Sequence, residues 1–95
     1  MQKKKFIVRT YSAGAFFGEI VSRKGKEVAM KNARRLWHWA GAASLSQLSQ
    51  DGTSNPAACK FPKAMPSVVL TEAIEIIECS PAAVASIEAV PEWTA

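Results

Sequence analysis

The 95-residue sequence has few of the side chains from which catalytic and metal centres are built. It contains one histidine, His38, and two cysteines, Cys59 and Cys79, which are far apart in the chain. Zinc sites usually draw on closely spaced cysteine and histidine pairs, so this set does not predict one. Phosphate-binding loops, dinucleotide-binding glycine motifs and the GxSxG nucleophile motif are also absent. We therefore expect a binding protein rather than an enzyme, with no cofactor or metal and with both cysteines as thiols.

Long apolar runs are missing as well. The apolar run near the N-terminus is only Phe6-Ile7-Val8. This run is shorter than the core of a signal peptide and much shorter than a membrane span. We therefore expect the chain to remain in the cytoplasm, away from membranes.

Charge is distributed unevenly along the chain. The net charge of +4 favours an anionic partner. Lysine and arginine are concentrated in the first part of the sequence, whereas every charged residue in positions 64–95 is a glutamate. A basic part and an acidic part could also pair with each other, within one chain or between protomers.

β-Branched and aromatic residues, interrupted by turn signals, predict an α+β fold in a single domain spanning residues 1–95. The predicted strands are residues 5–12, 15–22, 27 onward and 67–79. Doubled apolar pairs around Gly18 and the run Lys31-Asn32-Ala33 indicate bulges or bends. We expect a small antiparallel sheet of about four strands, strongly bent and approaching a barrel, with two short helices.

Both helices have clear start signals. Ser44 followed by Gln47 resembles a capping box and predicts a helix over residues 45–51, ended by Gly52. Ser80 followed by proline predicts a second helix over residues 81–89. Between them, residues 53–66 are rich in proline and predict a surface loop that could act as a flap.

Residues 29–40 permit two interpretations. Apolar residues recur at helical spacing, and on a helix Trp37 would be buried while Trp39 points away. On a strand, Arg35, Trp37 and Trp39 would share one face, with Arg34 on the other. The hairpin predicted just before this stretch favours the strand.

Residues 31–50 hold the groups best suited to bind a planar anionic ligand. Arg34 and Arg35 could neutralise phosphate, and a tryptophan could stack on a base. Asn32 and Ser46 could bind a sugar or base edge, and the turn from Ser44 to Ser46 offers free N–H groups. The predicted ligand-binding residues are Asn32, Arg34, Arg35, Trp37, Trp39, Ser44 and Ser46. The alternative is that the tryptophans belong to the core and the arginines to a solvated face.

Several segments resemble a widespread family of small phage and prophage proteins that has no assigned activity. The segments that carry the resemblance are residues 25–28, 31–39, 41–48, 70–77 and 90–93. The resemblance covers nearly the whole chain and implies a phage protein made in the cytoplasm of a bacterial host. Small phage proteins often counter host defences, by sequestering a nucleotide signal or by blocking a host protein.

These observations support three functional hypotheses. The first is a binding protein for a phosphorylated nucleotide, in which a homo-oligomer could complete the site. The second is an inhibitor that binds a host protein through exposed tryptophan and arginine, which are common at interface hot spots. The third is direct binding of nucleic acid, which the acidic C-terminal third of the chain disfavours.

Overall fold

The structure, a computed structural model, describes residues 4–94. These residues form an antiparallel sheet of five strands in the order β4-β3-β2-β1-β5, together with two α-helices. The strands are β1 (Phe6–Thr10), β2 (Ala15–Lys24), β3 (Glu27–Leu36), β4 (Met65–Leu70) and β5 (Ala73–Glu78). The helices are α1 (Leu45–Asp51) and α2 (Pro81–Glu88), and a short 3-10 turn covers Pro56–Ala58. The prediction of an α+β fold is confirmed.

The barrel-like part of the fold prediction was wrong. Within residues 4–94, β4 and β5 do not pair with each other, so they remain the two edges of an open sheet. The single strand predicted over residues 67–79 is in fact these two edge strands, joined by Thr71 and Glu72. The apolar alternation fails at Glu72. Before this residue the chain pairs with β3, as β4, and after it the chain pairs with β1, as β5.

The β2–β3 hairpin bends at Gly18. The pairing register shifts between Phe17 and Glu19, and a Cβ on Gly18 would lie only 2.9 Å from the Cα of Ala33. Opposite this position, Asn32 has a left-handed φ of 51°. The bulge predicted here is confirmed. The two strands approach so closely at this point because Gly18 has no side chain; a Cβ at this position would push them apart.

The sheet has one hydrophobic cluster on each face because side chains alternate along each strand. On the face that carries the helices, which we call the helix side, Ile7, Phe17 and Leu36 pack with Leu48, Phe61 and Ile87. On the opposite face, the cluster consists of Val8, Phe16, Val28, Met30, Ala33 and Leu70. Cys59 and Cys79 are buried in the helix-side cluster and form no disulfide.

The two helices begin where their capping residues predict. The Ser44 hydroxyl accepts a hydrogen bond from Gln47 N at 3.2 Å, and the Gln47 side chain accepts one from Ala43 N at 2.7 Å. At the second helix, the Ser80 hydroxyl accepts a bond from Ala83 N at 3.1 Å. These bonds satisfy backbone N–H groups that a helix start leaves without partners.

The proline-rich loop over residues 53–66 is held against the segment that follows β3. Lys60 N donates to the carbonyl of His38 at 2.7 Å, and Ser54 N donates to the carbonyl of Gly41 at 3.2 Å. The buried thiol of Cys59 accepts a bond from Ala40 N. The loop therefore fixes the position of residues 37–41, which connect the sheet to α1.

Candidate functional site

The structure separates the predicted site residues into several locations. β3 ends at Leu36, so the strand interpretation holds for residues 29–36 and the helix interpretation was wrong. Trp39, Ser44 and Ser46 line one groove, whereas Asn32 and Arg34 line another. Arg35 lies on the opposite face of the sheet, and the Trp37 side chain is 63% exposed.

Arg34 lies in the interior, where its five guanidinium N–H groups donate to five backbone carbonyls. The carbonyls belong to Pro62 (3.1 Å), Ile87 (2.9 Å), Val90 (3.0 Å), Phe61 (2.7 Å) and Pro91 (3.4 Å). The carbonyls at the end of a helix lack intrahelical partners, so Arg34 satisfies the end of α2 and the segment after it. An arginine has five N–H donors in all, so none is left for a phosphate.

The environment of Arg34 supports this structural role. Burial lowers the pKa of its guanidinium, and the carboxylates of Glu92 and Glu88 act in the opposite direction. An arginine stays protonated at neutral pH despite such a shift. The alternative of a solvated Arg34 was therefore wrong, because its side chain is buried, and the predicted contact of Arg34 with a phosphate finds no free N–H group.

Arg35 lies on the opposite face and is partly exposed. Its guanidinium carbon is 4.5 Å from the centre of the Phe16 ring, and Nη1 donates to the carbonyl of Ala13 at 2.6 Å. It lines a cavity of about 220 Å³ with Val68 and Glu72. These contacts hold the β1–β2 turn, and the cation remains accessible at the surface.

Asn32 belongs to a polar cluster around the buried Glu19. The Asn32 amide donates to Glu19 Oε2 at 3.1 Å, and Lys5 Nζ lies 3.3 Å from the same oxygen. Lys31 Nζ lies 3.9 Å from Oε1. The Asn32 side chain thus stabilises a carboxylate on its own sheet, away from Trp39.

The remaining predicted residues meet in what we call the Trp39 groove. Its lining residues are Arg9, Trp39, Ser44, Leu45, Ser46 and Glu75, and they enclose about 320 Å³. Trp39 is half-buried and packs against the helix-side cluster. Ser44 and Ser46 are exposed at the start of α1, so their hydroxyls stand next to the indole in the same groove.

Arg9 and Glu75 are groove residues that the sequence did not indicate. They are partners across β1 and β5, and Arg9 Nε donates to Glu75 Oε1 at 3.1 Å. Both side chains are about half exposed. Only the long-range register of the two strands brings them beside Trp39, and no local pattern around either residue predicts that register.

The path from Trp39 to α1 depends on a tight turn. Gly41 has a φ of 76°, and a Cβ there would clash with the backbone of Ser54 and Asn55. Glycine is the residue that tolerates this conformation without strain. The turn returns the chain so that Ser44 can cap α1 directly beside the indole.

A second aromatic surface lies at the end of β3, and we call it the Trp37 surface. It consists of Trp37, His38, Lys60 and Trp93. Trp37 N donates to the carbonyl of Lys60 at 3.1 Å, and Lys60 Nζ lies 5.5 Å from the centre of the Trp93 ring. A largely exposed tryptophan side chain is more typical of protein interfaces than of a small-molecule pocket, which buries most of its lining.

Between residues 4 and 94, no group of three or more histidine, cysteine, aspartate or glutamate side chains is arranged to hold a metal ion. No helix in that part of the chain is long and apolar enough to cross a membrane.

Comparison with known proteins gives a family but no activity. No curated protein and no solved structure matches the chain. The model of a family described as a domain of unknown function (DUF6948) matches residues 3–87. This range includes the whole Trp39 groove and stops before Trp93. The chain therefore belongs to this family of unknown function.

Proposed function

We propose that the protein binds a small, planar, phosphorylated ligand of the nucleotide type in the Trp39 groove. One observation carries the proposal: the half-buried indole of Trp39 shares a groove with the guanidinium of Arg9 and the hydroxyls of Ser44 and Ser46. An aromatic ring, a cation and hydroxyl groups are the three partners that a base, a phosphate and a sugar require.

Each group in the groove has a distinct part in binding. The Trp39 indole stacks on the base, an interaction worth about 1 to 3 kcal/mol per base. Arg9 donates to the phosphate in charge-assisted hydrogen bonds, which are stronger than neutral ones. The hydroxyls of Ser44 and Ser46 orient the sugar or the base edge.

Glu75 keeps Arg9 in place before the ligand arrives. The Arg9–Glu75 pair is about half exposed, so water screens it and its contribution to stability is small. A phosphate carries more charge than a carboxylate and can replace Glu75 as the partner of Arg9. The net charge of +4 also favours the approach of an anion.

The size of the groove selects the class of ligand. Small-molecule sites usually have a volume of about 300 to 1,000 Å³, and the volume of the open Trp39 groove is about 320 Å³. A groove at the small end of this range has room for about one nucleotide unit.

The biological setting that we propose is a phage-encoded protein acting in the cytoplasm of a bacterial host. The ligand would be a nucleotide signal that the host uses in defence, and binding would keep it from its receptor. The resemblance to small phage and prophage proteins supports this setting.

Calorimetry against a panel of linear and cyclic nucleotides tests the proposal. We expect heat with the wild-type protein and with Trp37→Ala, whose exposed side chain serves as the matched control. Trp39→Ala should bind at least about tenfold more weakly, because the stacking energy is lost. No heat from any nucleotide, with protein shown by circular dichroism to be folded, would overturn the proposal.

The Trp37 surface favours a second candidate function, which is inhibition of a host protein by direct contact. The side chain of Trp37 is 63% exposed, and tryptophan is among the residues enriched at interface hot spots. A stoichiometric partner that copurifies with the wild type and with Trp39→Ala, but not with Trp37→Ala, would support it. A partner lost equally from both variants would contradict it.

A further inference from the structure

The two edges of the sheet differ in how well they are covered. At the β5 edge, Ala73 N donates to the carbonyl of Lys26 at 3.0 Å, so the tip of the β2–β3 hairpin adjoins the start of the strand. Gln50 Nε2 donates to the carbonyl of Glu78 at 3.1 Å at the other end. Glutamates in β5 add charge, which discourages pairing with another chain.

The β4 edge has none of these protections apart from one proline. Among residues 4–94, β4 pairs with β3 alone. No charged residue occurs from Ala64 to Thr71, and the Val69 side chain is 57% exposed. An open, uncharged edge of β-branched residues presents unpaired N–H and C=O groups to a further strand. Pro66 has no N–H group, which limits the pairing of β4 at that one position.

The charges that flank β4 indicate which strand fits it. Lys63 lies just before the strand and Glu72 just after it, and both are exposed. When two identical strands pair antiparallel, the start of one lies near the end of the other. Lys63 of each copy then lies near the partner's Glu72, twice in every dimer because of the two-fold symmetry. A parallel arrangement would instead bring like charges together.

We propose that β4 is a dimer interface, on which a second copy of the chain pairs antiparallel through its own β4. The two sheets become one continuous ten-stranded sheet across a two-fold axis, since each copy contributes five strands. Pairing satisfies the edge N–H and C=O groups and covers Val69. A single pair of short strands buries a small surface area, so the dimer should be weak and should dissociate at low protein concentration.

The dimer would leave the ligand groove open. The residues that line the Trp39 groove come from β1, β5, the start of α1 and the segment before it, and none of them belongs to β4. Dimerisation and ligand binding are therefore separate properties, and either can fail without the other. A dimer would carry two grooves and could bind two ligands.

Sedimentation equilibrium over a concentration series tests the proposed interface. The wild type should form dimers, and Val69→Lys should be monomeric because it places two like charges close to the two-fold axis. Ile74→Lys is the matched control, since Ile74 is 48% exposed on the opposite edge strand. It should remain dimeric. A wild type that is monomeric throughout, or equal dissociation of both variants, would overturn the proposal.

Charge reversal provides a second test that does not alter the strand itself. Lys63→Glu and Glu72→Lys should each raise the dimer dissociation constant by about tenfold, because two exposed ion pairs become like-charge contacts. The double variant should recover the wild-type value. This pair decides the matter if Val69→Lys does not fold, as judged by circular dichroism. A double variant weaker than either single one would rule out antiparallel pairing.

Discussion

Arg34 and Arg35 are adjacent in the sequence, yet they belong to different regions of the molecule. Arg34 lies on the helix side, where backbone carbonyls take all five of its N–H groups. Arg35 lies on the opposite face, where it donates to one carbonyl and stacks on Phe16. The same residue type therefore has a structural role at position 34 and is an accessible cation at position 35, because neighbouring residues in a strand point to opposite faces of the sheet.

The two tryptophans of this stretch show a similar division. Trp37 is largely exposed, whereas Trp39 packs against the helix-side cluster and lines a groove with Arg9. A cluster of basic and aromatic residues in a sequence is therefore not sufficient to define a ligand-binding site. Its members have to be sorted by the face on which they lie before a ligand is assigned to them.

The largest effect in this comparison is expected from removal of Arg34. Arg34→Met should lower the free energy of unfolding by about 3 to 5 kcal/mol, because it leaves buried carbonyls without partners. Arg35→Met, the matched control, should change it by less than about 1 kcal/mol. Urea unfolding monitored by circular dichroism measures both. Equal losses would show that the two arginines do not differ as described.

A smaller difference is expected between the tryptophans. Trp39→Ala should lower the free energy of unfolding by about 1 to 3 kcal/mol, because the substitution removes an indole that is about half buried against the helix-side cluster. Trp37→Ala should stay within about 0.5 kcal/mol of the wild type, as is usual for an exposed position. Thermal melts of the two variants side by side provide the measurement. A more stable Trp39→Ala than Trp37→Ala would contradict the burial difference.

The smallest stability effect concerns the helix start beside the groove. Ser44→Ala removes the hydroxyl that accepts from Gln47 N and should cost about 1 kcal/mol. Ser46, two residues further along the chain, is exposed, so Ser46→Ala should cost less than about 0.5 kcal/mol. Denaturant titration of both variants separates the cap from its neighbour, and a larger loss at Ser46 would be inconsistent with the capping geometry.

Local signals predicted much of the fold. Ser44 and Ser80 predicted both helix starts, and the bulge at Gly18 was predicted from the paired apolar residues around it. The helix starts depend on contacts between residues close in the chain, and the bulge lies in a hairpin whose two strands follow each other directly in the sequence. The splitting of residues 67–79 into β4 and β5 was missed, because both halves have the same β-prone composition and only long-range pairing places them at opposite edges.

The candidate site was predicted less completely than the fold. Trp39, Ser44 and Ser46 are close in sequence and do share a groove. Arg9, which supplies the cation, comes from β1 through its pairing with β5, so no local pattern could include it. The alternation of β3 did place Arg34 and Arg35 on different faces, but alternation alone does not say which face carries the helices.

The most direct test of the proposed ligand site compares Arg9, which is exposed on the helix side, with Arg35, which is partly exposed on the opposite face. Calorimetry would use the nucleotide that gives the strongest heat with the wild type. If the Trp39 groove is the site, Arg9→Gln should weaken binding by about tenfold, the loss expected for a charge-assisted hydrogen bond at a half-exposed position, and Arg35→Gln should leave it unchanged. Loss of binding in Arg35→Gln with full binding in Arg9→Gln would contradict the assignment of the ligand to this groove.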